Sequence, residues 1–140
     1  MFKYIKTRKD AVTPTKSNET DSGFDLTLVE EYKKYGDVTL YDTGIKVQPP
    51  KGHYFDLVPR SSISKTGYML ANSVGIIDQT YQGNIYVALR KVDKTLPDLK
   101  LPCRFAQLIL RKVIDVKGIE VDSFDEVSKR GDGGFGSSNK

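Results

Sequence analysis

A chain of 140 residues that is 38% hydrophobic and 29% charged suits one globular domain with its own core and is too short for two. Its single cysteine, Cys103, excludes a disulfide framework and any multi-cysteine metal site, and residues 1–10 hold no apolar run of signal-peptide length, so an intracellular, soluble protein with no membrane partner is expected. The net charge of +4 suits an anionic ligand, but Lys3, Lys6, Arg8, Lys9 and Lys16 form no uninterrupted basic run, and no nucleic-acid partner is expected.

Short apolar or alternating runs, punctuated by Gly, Pro, Asp and Asn, predict strands over 2–7, 23–28, 37–41, 44–47, 53–58, 68–72, 85–92 and 105–112. That spacing suits an all-β sandwich or barrel. Pro49-Pro50-Lys51-Gly52 supplies a turn ahead of the fifth run. One short helix is expected, starting at Ser61 or Ser62 with a serine cap and stopping at Gly67. In 85–89, Ile85, Val87 and Leu89 alternate with Tyr86 and Ala88, so one face is apolar and the sheet is half-buried. No long helical period, repeat or linker interrupts the β domain of residues 1–127. From residue 128 the composition changes, and 130–138 reads RGDGGFGSS, four glycines with one large apolar side chain. Residues 128–140 therefore read as a flexible, glycine-rich C-terminal arm.

Gly131, Gly133 and Gly136 have the GxGxxG spacing of a dinucleotide loop, but that fingerprint needs a strand before it and a helix after it, and the chain ends four residues beyond Gly136. A Walker A loop fails too, because Ser137 stands where its lysine would follow. The arm still offers Arg130, Phe135, the Ser137 and Ser138 hydroxyls and many backbone amides. Those are parts for closing over a phosphorylated, planar ligand, or simply a glycine tail. Pro59-Arg60-Ser61-Ser62 puts an arginine and two hydroxyls at the expected helix start, either an anion site or an ordinary cap. In GIIDQTYQG, residues 75–83, two isoleucines lead into Asp78, either a turn former or a general base on a hairpin whose glycines allow close approach to a ligand. Asp25, within SGFDL at 22–26, either ends a turn or helps hold a hydrated Mg²⁺. His53 and Cys103 stand alone and are assigned structural roles, since one histidine and one cysteine build neither a catalytic triad nor a metal cluster.

In chain order these segments resemble the five motifs of the trimeric dUTP diphosphatase (dUTPase) family: SGFDL, PRSS at 59–62, GIIDQTYQG, RFAQLIL at 104–110, and RGDGGFGSS. The resemblance implies a distorted jelly-roll β-barrel or sandwich, assembled as a homotrimer with active sites at the subunit interfaces and an arm closing over each. It implies Mg²⁺-dependent hydrolysis of dUTP to dUMP and pyrophosphate by water attack on the α-phosphate, which limits uracil in DNA and supplies dUMP for thymidylate synthesis. It also implies roles. Asp78 orients and deprotonates the water and contacts the 3′-hydroxyl, and Tyr81 packs on the sugar and excludes a 2′-hydroxyl. Asn72 and the hairpin backbone, with Gly75, Ile76, Ile77 and Tyr86, read uracil. Arg60, Ser61, Ser62 and Gln107 hold the phosphates, and Asp25 binds Mg²⁺ through water. Arg130, Phe135, Gly136, Ser137 and Ser138 cap the γ-phosphate and the base. The chain departs from the family pattern at Ser62, at Pro102-Cys103 and at Ser138-Asn139, all positions that bear on loop geometry. The dCTP deaminases share the fold and an Arg-Ser-Ser segment, but their catalytic glutamate would fall where this chain has Ala88. A non-enzymatic nucleotide-sensing or protein-binding module is the other alternative, since a fold need not keep its family's activity.

Overall fold

A computed structural model describes residues 1–137; Ser138 of the expected arm lies outside them. The strands are β1 (Lys3–Lys6), β2 (Gly23–Leu28), β3 (Glu30–Tyr35), β4 (Val38–Asp42), β5 (Ile45–Gln48), β6 (His53–Pro59), β7 (Tyr68–Leu70), β8 (Gly75–Ile77), β9 (Tyr86–Lys91) and β10 (Cys103–Lys112). They form two antiparallel four-stranded sheets, ordered β2-β10-β6-β8 and β3-β4-β9-β7, and a β1-β5 ribbon. Among the described residues no strand closes the sheets into a barrel, so the jelly roll takes the sandwich form.

Period-two alternation explains the layering. From the first sheet Leu26, Leu28, Phe55, Leu57, Ile77, Ala106 and Leu108 point inward, and they meet Tyr41, Leu70, Val87 and Leu89 of the second, with Ile45 and Val47 of the ribbon filling one side. Phe2 closes an end of this core, its ring meeting Phe24 and Phe55 edge-on with centroids 4.9 and 5.0 Å away. Thr43 is the fully buried polar group, and it is satisfied: its hydroxyl donates to the Ile85 carbonyl at 2.8 Å and accepts from the Ile45 amide at 3.2 Å.

Two strands escape the sequence pattern. β3 reads EEYKKY and is exposed along its whole length, so no apolar alternation marks it. β8 spans three residues, and only its pairing with β6 makes it a strand. The expected helix is a 3₁₀ turn, Ser61–Lys65, whose N-cap is Arg60 and which has no side-chain cap. Instead of capping, Ser64 turns back to the Ser61 carbonyl at 2.5 Å. Gly67 follows with φ +78°, the left-handed conformation that the end of the turn requires. Beyond β10 the described residues form no further strand, and Ile114, Val116, Ile119, Phe124 and Val127 are each at least 79% exposed.

Because Phe55 is fully buried at the junction of both sheets and the Phe2 plug, Phe55→Ala is expected to destabilise the domain by about 3–5 kcal/mol. The check is the shift of the urea unfolding midpoint at unchanged slope.

Candidate active site

The outer face of the first sheet carries a polar corner. Asp25 on β2 lies directly opposite Gln107 on β10, which in turn faces Val58 on β6, so all three share one face. As β6 ends, Arg60 is held in place: its amide donates to the Phe105 carbonyl at 2.8 Å and its Nη1 to the Arg104 carbonyl at 3.1 Å. That anchoring points Nε at Asp25 Oδ1, 3.0 Å away, while Arg104 Nη1 lies 3.9 Å from the other carboxylate oxygen. Gln107 Nε2 donates to the Pro59 carbonyl at 3.2 Å. Gly23 makes this possible, because a Cβ there would lie 2.1 Å from Gln107 Oε1. Asp25, Arg60, Ser61 and Gln107 thus line one cleft of about 270 Å³, with Ser17 and Asp21 at its rim. Ser62, the next residue of the 3₁₀ turn, does not line it.

The hairpin residues form a second cluster. Gly75 is buried against β6, where a Cβ would sit 3.2 Å from Leu57 Cβ and 3.5 Å from Asn72 Nδ2. Ile77 is in the core and Ile76 faces out, so alternation places the exposed Asp78 on the outer face as well. Asn72 lies in the exposed turn just before β8, its carbonyl accepting from the Val74 amide at 2.6 Å. The Asp78 carbonyl accepts from the Tyr81 amide at 3.1 Å, and the Tyr81 hydroxyl donates to the Asn84 carbonyl at 2.6 Å. Burial, reinforced by Asp42 and then Tyr32, raises the Tyr81 phenol above its ordinary pKa, so it stays a donor at neutral pH. The Tyr86 ring is stacked on Tyr32 with centroids 4.3 Å apart.

One chain does not bring the two clusters together. Gly75 pairs with Leu57 and Ile77 with Phe55, so Asp78 lies level with Tyr54, whereas Arg60 leaves the other end of β6. Six residues of strand separate those levels, about 20 Å. Asp25 lies three strand spacings across the sheet from Asp78's side, about 14 Å. The arm reaches neither cluster: the hydrogen bonds of its described residues run within it, among them Arg130 Nε to the Gly133 carbonyl at 2.5 Å. Arg130, Phe135, Gly136 and Ser137 line a separate hollow of about 470 Å³, with Phe135 fully exposed.

A larger groove, about 680 Å³, runs along β1 and β5 beside Phe2, Tyr4, Ile5 and Val47; Gln82 of the hairpin segment lines it, but none of the candidate site residues does. Cys103 is pushed up to about 11 by burial, which leaves its thiol a poor nucleophile, and His53 Nδ1 is bonded to the Lys51 carbonyl at 2.9 Å. Both sit as structural residues. Sequence reasoning missed Gly23 and Arg104 as shapers of the polar corner. Their signal is the β2-β10 register, which a single sequence does not print.

Comparison with known proteins gives a consistent result. A family model described as dUTPase matches residues 9–139. A deoxyuridine 5′-triphosphate nucleotidohydrolase of Mycobacterium leprae is 39% identical over 132 residues, covering 89% of this chain and 86% of that protein. One from Arabidopsis thaliana is 34% identical over 137 residues, covering 97% and 81%. A dUTPase of Staphylococcus bacteriophage 80alpha, solved with dUpNHpp, superposes with a TM-score of 0.78 at 24% identity, covering 99% of this chain and 98% of that one. The dUTPase of phage phi11 of S. aureus, described for its coordination of a structural Mg(II) ion, gives 0.74 at 19% identity over 90% and 99%. With nearly its whole length matched by that model and by relatives above 30% identity, the chain belongs to the dUTPase family.

Proposed function

We propose that this protein hydrolyses dUTP to dUMP and pyrophosphate. The observation that carries the reading is the Asp25–Arg60–Gln107 corner, a polar cleft with its arginine already fixed, on the same sheet face as the exposed carboxylate of Asp78. In-line attack of water at the α-phosphorus needs an aligned triphosphate, a base and neutralised charge. Arg60, Ser61, Ser62 and Gln107 align and neutralise the phosphate chain, the guanidinium already fixed by the Arg104 carbonyl and Asp25. Asp78 accepts the proton of the attacking water and contacts the 3′-hydroxyl. Tyr81 packs on the sugar. Asn72 with the backbone of Gly75, Ile76, Ile77 and Tyr86 reads the base, a backbone role that leaves the Ile77 side chain to the core and the Tyr86 ring to Tyr32. Arg130, Phe135, Gly136, Ser137 and Ser138 cover the γ-phosphate and the base.

The residues present fit Mg²⁺ in one way only. Among the described residues no three His, Cys, Asp or Glu side chains form a cage. Mg²⁺ keeps several waters and needs one or two carboxylates plus substrate phosphates, and Asp25 offers one carboxylate within the polar cleft. Asp25 would hold the ion through water, and the ion would supply charge neutralisation on the triphosphate.

The separation of Arg60 and Asp78 argues for a shared site. If one site takes its phosphate corner from one subunit and its hairpin from another, the distance of about 20 Å within a chain is no obstacle. The exposed apolar residues between 114 and 127 give such an assembly apolar surface to bury. We therefore place dUTP at the interfaces of a homotrimer.

Supplied with dUTP, dCTP and dTTP in Mg²⁺, the protein is expected to release pyrophosphate from dUTP alone; ammonia from dCTP, or no turnover, would sink the reading. Deamination lacks an agent, since Ala88 stands in β9 with its carbonyl bonded to the Ala71 amide. Asp78→Asn and Arg60→Ala chains are each expected to be inactive. Co-assembled from equal amounts, they should recover about one quarter of full activity, because that share of interfaces pairs an intact corner with an intact hairpin. No recovery would place the whole site in one chain. Truncation before Arg130 should leave urea unfolding unchanged and lower kcat/KM at least about a hundredfold, as expected when interactions made at the transition state are lost.

A further inference from the structure

The Tyr81 ring is held by residues to which the mechanism above gives no role. Its hydroxyl donates to the Asn84 carbonyl at 2.6 Å, so the ring is folded back over Gly83. Only glycine leaves room for it: a Cβ at residue 83 would lie 2.4 Å from the Tyr81 hydroxyl oxygen and 2.7 Å from Cζ. Asn84 is itself pinned. Its Nδ2 donates to Thr7 Oγ1 at 3.0 Å and to the two carboxylate oxygens of Asp42 at 3.1 and 3.3 Å. Asp42, only 8% exposed, also accepts the Gly44 amide at 2.8 Å and lies 3.9 Å from Arg8 Nη1. Arg8 continues the chain to Asp10 and Glu30. A continuous polar network therefore runs from the segment after β1, through the end of β4, to the carbonyl that fixes the ring.

We propose that Asp42 and Asn84 are positioning residues for sugar selectivity: by fixing the Asn84 carbonyl they hold the Tyr81 ring where it admits deoxyribose and rejects a ribose 2′-hydroxyl. The inference rests on the role given to Tyr81 above. Rejecting one extra hydroxyl by contact requires a wall that does not yield, and a ring free to turn about its side-chain torsions yields. One hydrogen bond to an anchored carbonyl removes that freedom, and burying Asp42 without its Asn84 and Gly44 donors would be costly, so the network is self-enforcing. The deoxyribose substrate needs the wall less, because nothing presses against it. Loosening should therefore affect UTP more than dUTP.

The test compares kcat/KM for dUTP and UTP in the full-length, Mg²⁺-supplied protein and its variants. Asn84→Ala keeps the carbonyl but removes the Nδ2 contacts that pin it, and Gly83→Ala displaces the ring without altering it. Each is expected to raise UTP relative to dUTP about tenfold, chiefly through KM for UTP, with kcat on dUTP within about threefold of the unsubstituted chain. Asp42→Asn keeps an acceptor oxygen and should retain selectivity, while Asp42→Ala should lose it. Active variants of residues 83 and 84 with unchanged selectivity, or with equal losses on both substrates, would overturn the positioning role. Absence of dUTP turnover by the unsubstituted chain would overturn the functional reading itself, so the two failures are distinct.

Discussion

The antiparallel register of β6 is the constraint on which the rest of the molecule depends. β10 runs along one of its edges and β8 along the other, so a single central strand decides which side chains face outward together. Inward it delivers Phe55 and Leu57 to the core, and its other face aligns Val58 with Gln107 and Asp56 with Ile76. A slip of one residue would send every one of these to the opposite face. The same register separates Arg60 from Asp78, the separation on which the proposal of a shared site rests.

Under the proposed reading, the Asp25–Arg60 contact prepares the corner for phosphate. Asp25 is 11% exposed at its side chain and Arg60 28%, so the pair is drawn partly out of water and its charges are screened less than at a free surface. The acid uses one oxygen to fix the guanidinium, whose Nη1 is taken by the Arg104 carbonyl. A flexible arginine would have to be ordered when the ligand arrives; this one is ordered beforehand, and preorganised charge acts more strongly on a developing phosphate charge. Gly23 belongs to the same preparation, since any larger residue would displace Gln107.

Sequence made the sheet legible where burial is one-sided. β9 and β10 alternate apolar and polar residues, and their strands stand close to where alternation places them. It failed where burial gives no contrast. β3 is exposed on both faces, β8 is too short for a period to register, and the 3₁₀ turn borrows serines that look like caps but cap nothing. The candidate residues were legible because glycine, arginine and aspartate cluster in short segments, and the family resemblance joined them. Neither could show that Asp25, Arg60 and Gln107 share a cleft while Asp78 stands apart, because that fact belongs to strand order. Asp42 and Asn84 are silent for a similar reason: they lie 42 residues apart in sequence and meet only through the fold.

The arm's behaviour is set by entropy rather than by contact with the domain. Its described hydrogen bonds are local, and four of the residues from 130 to 137 are glycines, the type that loses most freedom on being ordered. Holding eight residues in one conformation costs on the order of 10 kcal/mol of backbone entropy. Closure over a site is therefore favourable only when a ligand repays it, and under the proposed reading the repayment comes from Arg130 on phosphate and Phe135 on the base. A nucleotide lacking its terminal phosphates removes the arginine contact while leaving the entropy cost intact. The lid would then open on products and close on triphosphate, so that a glycine-rich tail reports the phosphorylation state of what lies beneath it.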